Sequence, residues 1–374
     1  MKVLFICGST EQGRDGVGDY TRRLSLELVN HGIQVAIAAI NDRHIQEIQH
    51  NVVTAGAAEV NLLRLPAGLP EDKRFNLLKE LVDQFNPDWL SLQYVPFSYH
   101  PKGLGFGLAK RLKKAGGGRK WEIMVHEIAV GMPEGSSLKE MLWGKAQKHL
   151  ASSLISTLKP AVVHTQTTVY QKQLEKFGAS VITLPLFSNI PLLDAAQVKS
   201  KLAGGTKTTG IDLLVFATVQ LGAPIKQLAA EAAEYEKANQ VKLRMVFLGR
   251  GGRAQEEWIK EWTAAGLTTL QLGEQPEEKI SEILSSTTYG IYSTPLVLTG
   301  KSGAVAAMRE HGVHLLCVSG KWEARGIKIK DNPFGIVDYK GGNFGELFTT
   351  VPDFSLLPTV PKVAEQFKTD LLTH

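Results

Sequence analysis

Cysteine is scarce in this chain. Two residues of 374, Cys7 and Cys317, both sit inside apolar runs, where cysteine behaves as a small buried hydrophobe. That excludes a disulfide framework and a cysteine-built zinc site. The ten histidines are scattered without ligand spacing, and no Asp-x-Asp pair is present to carry a divalent ion on a diphosphate, so no catalytic metal is expected. No apolar run approaches the roughly 18 residues of a membrane span, and no cleavable apolar leader precedes the first strand. The expectation is a cytoplasmic protein. Charge of one sign is also lacking: 42 Lys and Arg against 37 Asp and Glu leave +5, too small and too dispersed to predict a nucleic-acid surface, and no nucleic-acid partner is expected. The basic runs RLKKAGGGRK (Arg111 to Lys120) and GRGGR (Gly249 to Arg253) read as solvated faces. The first is also the candidate for peripheral contact with an anionic membrane, at the inner face.

What is present is alternation. Short β-branched apolar runs alternate with longer amphipathic stretches, the pattern of an α/β protein. Strands are expected at Val3 to Cys7, Gln34 to Ile40, Glu59 to Leu65, Trp89 to Val95, Glu122 to Val125, Ala161 to His164 and Val181 to Leu184. Several are apolar throughout, as strands buried on both faces of a parallel sheet must be. A helix over Asp19 to Asn30 ends at His31-Gly32, a glycine cap. The rhythm breaks at Pro185 to Gly210 and restarts with strands at Ile211 to Thr218, Leu243 to Gly249, Thr269 to Gly273, Tyr289 to Ser293, His314 to Val318 and Gly335 to Asp338. The expectation is two doubly wound, Rossmann-like domains facing a cleft, over residues 1–187 and 188–360. A last helix, in 361–374, packs back on the first domain. Ligands of such sheets bind beyond the carboxyl ends of the strands.

Two loops carry the chemistry. GRDGVGDYTRRL (Gly13 to Leu24) follows the first strand, but it is no dinucleotide fingerprint: counting from Gly16, Thr21 stands where the third glycine belongs. Asp42, near the end of the second strand, keeps a nicotinamide enzyme as a competing reading. The glycines still allow a ligand close to backbone amides at a positive helix end; an ordinary strand-to-helix turn explains them equally well. The second loop, in YSTPLVLTGKSGAVAAMREHG (Tyr292 to Gly312), is more informative. Ser302 caps a helix over Gly303 to Glu310, and Lys301 stands at its first turn. A cation there opposes the helix dipole unless it faces an anion. Lys301, the Ser302 hydroxyl and the amides of Ser302, Gly303 and Ala304 suit a diphosphate, the alternative being a solvated lysine. Arg250 and Lys226 follow two further strands of the same domain.

Together, DGVGDYTRRL, VHE at Val125 to Glu127, SNIP at Ser188 to Pro191, the loop around Lys226, FLGRG at Phe247 to Gly251 and TGKSGAVAAMREHGV resemble, in order and spacing, the retaining GT-B glycosyltransferases of family four. The resemblance spans almost the whole chain. It implies a nucleotide-diphosphate-sugar donor held by the second domain and a glycan, lipid-linked or small-molecule acceptor held mainly by the first, with no cofactor beyond the co-substrate. By it, Gly16 and Gly18 border the donor phosphates, with Asp19 and Tyr20 toward the acceptor. His126 lies near the transferred sugar, with Glu127 beside it. Lys226 and Arg250 neutralise the leaving diphosphate, and Gly300, Lys301 and Ser302 contact phosphate and sugar. One departure stands out: where the family often has two glutamates, this chain has Thr299 and Ala307, with Glu310 one turn further on.

Retaining transfer needs mainly charge stabilisation on the departing diphosphate, which cations and helix-end amides supply. A carboxylate pair, obligatory for a typical glycoside hydrolase, is not needed. His126 would hydrogen-bond the sugar rather than act as general base. The aromatics of LQYVPFSYH (Leu92 to His100), Tyr94 and Phe97 among them, would wall an acceptor or simply pack the core. The alternative from another class is a catalytically silent sugar-nucleotide-binding partner protein of the same fold.

Overall fold

The structure is a computed structural model that describes residues 1–193, 210–329, 335–352, 354 and 357–374. Residues 194–209 of the interdomain stretch anticipated at Pro185 to Gly210 lie outside the described residues. The chain divides into two compact units: Met1–Pro185 with Glu323–Lys328 and Pro358–His374, and Leu186–Trp322 with Ile329–Leu357.

The first unit holds an eight-stranded sheet. Its strands are β1 (Lys2–Cys7), β2 (Gln34–Asp42), β3 (Gln49–Ala55), β4 (Ala58–Pro66), β5 (Trp89–Tyr94), β6 (Lys120–Val125), β7 (Val162–Thr165) and β8 (Ile182–Thr183). They lie in the order β3-β4-β2-β1-β5-β6-β7-β8, parallel except for β3. β3 forms a hairpin with β4 across Gly56 and Ala57, and Gly56 adopts the positive φ such a turn requires. The order reverses between β1 and β5, which makes that gap the topological switch point, where open α/β sheets bind ligands. Helices α1 (Gly16–Asn30), α2 (Glu71–Phe85), α3 (Pro96–Tyr99), α4 (Leu108–Gly116), α5 (Leu138–Leu158) and α6 (Thr168–Glu175) connect the strands. α5 starts with a reciprocal capping box between Ser137 and Glu140.

In the second unit a six-stranded parallel sheet takes the order β11-β10-β9-β12-β13-β14. The strands are β9 (Gly210–Phe216), β10 (Lys242–Leu248), β11 (Thr268–Gly273), β12 (Tyr289–Tyr292), β13 (His314–Cys317) and β14 (Val337–Asp338). The chain winds outward from β9 to β11, then returns to the other side of β9, so the switch point lies between β9 and β12. α7 (Ile225–Asn239) and α8 (Arg253–Ala264) cover one face, where Leu228, Trp258 and Trp262 are buried against Leu213 and Met245. On the other face α9 (Glu277–Ser286) and α10 (Gly303–Glu310) bury Leu284, Val305 and Met308 against Leu214 and Leu315. A short helix, α11 (Glu346–Thr349), follows β14.

The last helix, α12 (Val360–Thr373), joins the first unit. Phe367 is fully buried and stacks on Phe5 of β1 with ring centroids 5.6 Å apart. Glu365 bonds His31 at the end of α1, and Gln366 donates to the carbonyl of Thr183. The segment Glu323–Lys328 returns to the same unit: the amide of Glu134 bonds the carbonyl of Glu323, and Arg325 donates to the carbonyl of Glu134.

Candidate functional site

The loop after β1 is built of carboxylates as much as of glycines. Asp15 caps α1, its carboxylate accepting from the amides of Val17 and Gly18 at 3.0 and 2.9 Å. Burial raises the pKa of its carboxyl, while those amide bonds and nearby His44 offset part of the rise. Asp19 accepts from the Gly13 amide and pairs with Arg22 at 3.1 Å. The amides that an anion would use at this helix end are therefore engaged by the chain's own acids. Gly18 is explained by packing, since a Cβ there would lie 2.7 Å from the Ser9 carbonyl oxygen and 2.7 Å from the Thr10 Cα. Gly16 has open space in that position, with nothing within 4 Å. Asp42 points to Arg64, bonded at 2.8 Å, and accepts from the His44 amide. Burial works against its charge, but Arg64 outweighs it and holds the carboxyl below its usual range.

His126 follows β6 directly. Its amide donates to the Tyr94 carbonyl at 3.0 Å, its Nε2 lies 2.9 Å from Gln93 Oε1, and Tyr20 meets its ring edge-on at 5.1 Å between centroids. The histidine is 6% exposed, a buried group at the rim of the sheet. Tyr20 and Tyr94, expected as acceptor contacts, are 1% and 4% exposed and belong to the core. Tyr94 stacks on Tyr99 and lines a cavity of about 160 Å³ shared with Leu108 of α4 and Leu154 of α5. Apolar burial, worth roughly 1.5–3 kcal/mol per large side chain, decides their position. Phe97 is half-buried and meets Trp143 edge-to-face. Glu127 is half-buried, its amide toward the Tyr94 carbonyl at 3.5 Å.

Sequence reasoning missed the polar row behind His126. Ser91, Gln93, Glu122 and His164 are fully buried on one face of β5, β6 and β7. Gln93 Nε2 donates to Ser91 Oγ at 2.8 Å, and Ser91 Oγ donates to Glu122 Oε2 at 2.5 Å. His164 lies with Nδ1 3.0 Å from Glu122 and Nε2 3.0 Å from Asp370 of α12. Burial alone would strip the His164 ring of its charge. The hydrogen bonds and attraction of Asp370 and Glu122 overcome it and raise its pKa to about 9. The signal was available: polar residues two apart inside otherwise apolar strands, which must be paired if both sheet faces are covered.

In the second unit the three expected cations fall at the carboxyl ends of three adjacent strands. Arg250 follows β10, Lys226 lies in the first turn of α7 after β9, and Lys301 ends the 3-10 helix Leu296–Lys301 after β12. Parallel neighbours present these ends along one edge of the sheet, around the switch point between β9 and β12. Ser302 caps α10 through the Val305 amide, with Gly303 and Ala304 preceding it in the first turn. Gly300, Lys301, Ser302, Gly303 and Ala304 are all partly exposed. Asn189 of the SNIP stretch approaches this turn, its side-chain nitrogen lying 4.0 Å from where a Cβ on Gly303 would be. Lys226 is exposed. Arg250 is paired with Glu274 at 2.5 Å on the surface, an interaction weak enough to exchange for a ligand. Gly249 takes φ 116°, and a Cβ there would press on Ala217 at 3.2 Å, so the β10 tip is closed tightly on the loop after β9. Thr299 is buried and bonded to the Tyr292 hydroxyl at 2.8 Å, and Ala307 is fully buried inside α10.

The basic run Arg111 to Lys120 is partly neutralised within its own unit. Arg111 pairs with Glu71 at 2.8 Å and Arg119 with Asp83 at 3.3 Å, while the Lys120 ammonium lies over the Trp89 ring. No helix among the described residues is long and apolar enough to cross a membrane.

Two Rossmann-like parallel-sheet units in this arrangement of strands define the GT-B fold, and solved structures share it over the full chain. The chain is similar to Anabaena Alr3699/HepE in complex with UDP and glucose, at 13% identity and a TM-score of 0.60 over 100% of both chains. It is similar to a UDP-forming α,α-trehalose-phosphate synthase from Burkholderia xenovorans in complex with glucose-6-phosphate, at 11% identity and a TM-score of 0.59 over 99% of both. A third similar structure is the UDP-GlcNAc 2-epimerase from Neisseria meningitidis bound to UDP-GlcNAc, at 12% identity and a TM-score of 0.54 over 100% of both. No protein-family model and no curated protein sequence matches the chain.

Proposed function

We propose that this protein is a retaining glycosyltransferase: it moves a sugar from a nucleotide-diphosphate-sugar donor, held by the second unit, to a glycan, lipid-linked or small-molecule acceptor. The observation that carries the reading is Lys301 at the start of α10, beside the switch point of the second sheet, with Lys226 and Arg250 at the ends of the two neighbouring strands. The edge of the sheet beyond the strand ends, at the switch point, is where ligands of such sheets bind, and the helix N-terminus there offers its first amides to an anion. The bound nucleotide sugars and UDP of the similar structures support the same choice. The charge that develops on the leaving diphosphate would meet the ammonium of Lys301, the Ser302 hydroxyl and the first amides of α10, which are pre-oriented and need no proton transfer. Lys226 and Arg250 add positive charge along the same edge. The reading calls for no metal. In the first unit the engaged amides of α1 favour a neutral, hydroxyl-rich ligand over a phosphate, and His126 would hydrogen-bond it.

One observation favours a second reading. Thr299 and Ala307 replace the glutamates of the resembled family, and both are buried, Thr299 with its hydroxyl engaged by Tyr292. A protein that binds sugar nucleotides without turning them over would tolerate that replacement. A panel of nucleotide sugars separates the two. Thermal shift identifies the ligand, because a ligand selective for the folded state raises stability by mass action. Turnover of that ligand, abolished in Lys301→Ala, marks a transferase. Binding without turnover under any acceptor marks the silent partner, and no binding by any nucleotide or nucleotide sugar refutes both.

A further inference from the structure

The buried row behind His126 fixes more than packing. His164 has a carboxylate at each ring nitrogen, so both nitrogens donate and the ring is an imidazolium. The Glu122 carboxylate facing it accepts from Nδ1 through one oxygen and from Ser91 through the other. Ser91 has one hydroxyl proton, and at 2.5 Å it goes to Glu122. The Ser91 oxygen is left to accept from Gln93, so the amide nitrogen of Gln93 must face it, as it does at 2.8 Å. The carbonyl oxygen of Gln93 is thereby turned to His126, where Nε2 lies 2.9 Å away and must donate. A flipped Gln93 amide would require a second proton from Ser91, which it does not have. Side-chain amide and imidazole orientations are ordinarily open to two assignments. Here the hydroxyl proton that Ser91 gives to the Glu122 carboxylate leaves only one.

We infer that Gln93 is a positioning residue for His126: through Ser91 it transmits the polarity of the Glu122 carboxylate and holds the histidine with its proton on Nε2. In the neutral ring Nδ1 is then the nitrogen without a proton, and a half-turn of the ring is disfavoured because it would put the Cε1 carbon where Nε2 meets the Gln93 carbonyl. The row runs from the rim of the sheet, across β5, β6 and β7, to Asp370 on α12, so the docked last helix is part of what orients His126. Second-layer hydrogen bonds of this kind set the tautomer and direction of functional histidines. The inference rests on the transferase reading for what His126 does to a sugar, but the tautomer itself needs no substrate.

Nitrogen-15 correlation spectra of the full chain with labelled histidine test it, His126 being assigned by the signal lost in His126→Asn. The expected result is a protonated Nε2 with a slowly exchanging, downfield proton resonance and an unprotonated Nδ1 at His126, together with two protonated nitrogens at His164. In Gln93→Leu the His126 Nε2 proton resonance is lost to fast exchange; in Gln93→Glu, which keeps an acceptor of the same length, it is retained. In Ser91→Ala the Gln93 amide is released to flip, and the His126 signal divides between two tautomers. A wild-type His126 protonated on Nδ1 overturns the inference, whatever the variants do. So does a His126 spectrum unchanged in both Gln93→Leu and Ser91→Ala, with folding verified by circular dichroism. Failure of the nucleotide-sugar panel would leave these spectra as stated, so the two ideas fall separately.

Discussion

Replacing His164 by asparagine should uncouple the stability of the first unit from alkaline pH. In the folded protein the ring sits between Glu122 and Asp370 with a pKa of about 9, against about 6.5 for an unfolded chain. Below pH 6.5 both states carry the proton and the ion-pair stabilisation is fully present. As pH rises from about 6.5 to 9 the unfolded state has released its proton while the folded state retains it, so stability falls; above about 9 the contribution is gone. At about 1.4 kcal/mol per tenfold change in proton affinity, the difference amounts to roughly 3 kcal/mol. The side chain has no solvent exposure, so screening removes little of this. For a body of 150–250 residues it corresponds to roughly 6–12 °C in Tm. Asparagine can still donate to Glu122 but carries no charge. The wild type should therefore lead His164→Asn by the most at pH 6, and that lead should shrink by roughly 3 kcal/mol at pH 9.5. Thermal unfolding followed by circular dichroism across pH 6 to 9.5 is the assay. Parallel curves for the two proteins would show that the imidazolium is not bracketed by two carboxylates.

Four further outcomes follow from the geometry. Gly18→Ala drives a Cβ to 2.7 Å from backbone atoms that cannot swing away, and should cost roughly 1–3 kcal/mol, whereas Gly16→Ala meets nothing within 4 Å and should be neutral or slightly stabilising; the two Tm values decide. Phe367→Ala removes the ring stacked on Phe5 and should cost roughly 3–5 kcal/mol, read from urea unfolding, and a loss under about 1 kcal/mol would show that α12 is not docked there. Asp15→Ala removes the cap on the Val17 and Gly18 amides and should cost about 0.5–2 kcal/mol, read from the Tm. Glu274→Gln releases Arg250 from an exposed pair, so stability should move by less than about 1 kcal/mol while the Kd for a nucleoside diphosphate falls several-fold. An unchanged Kd would remove Arg250 from the site.

Both sheets could be read because parallel strands buried on two faces leave an uninterrupted apolar trace: KVLFIC and HLLC announce themselves. β3 could not, since QHNVVTA is an exposed edge strand whose pairing with β4 is set by a two-residue turn rather than by burial. The capped helix at Ser302 was legible because capping is local chemistry, and its span matches the expected Gly303 to Glu310. The roles of Tyr20 and Tyr94 were not, because an aromatic at a strand or helix end packs inward or outward according to neighbours far away in sequence. The return of Glu323–Lys328 to the first unit carries no local signature at all, depending as it does on backbone bonds to Met132 and Glu134. The row from Gln93 to His164 was visible only as polar letters in apolar words; which of them meet is a matter of strand register.

The helix that carries Phe367 and Asp370 is made after the whole second unit, yet it completes a core begun by β1. A ribosome must finish the entire second unit before Glu122 and His164 acquire their third partner. The order of synthesis thus postpones closure of the first unit until the second has been made, and any truncation that removes α12 should be felt in β1 and β7, which Phe367 and Asp370 cover.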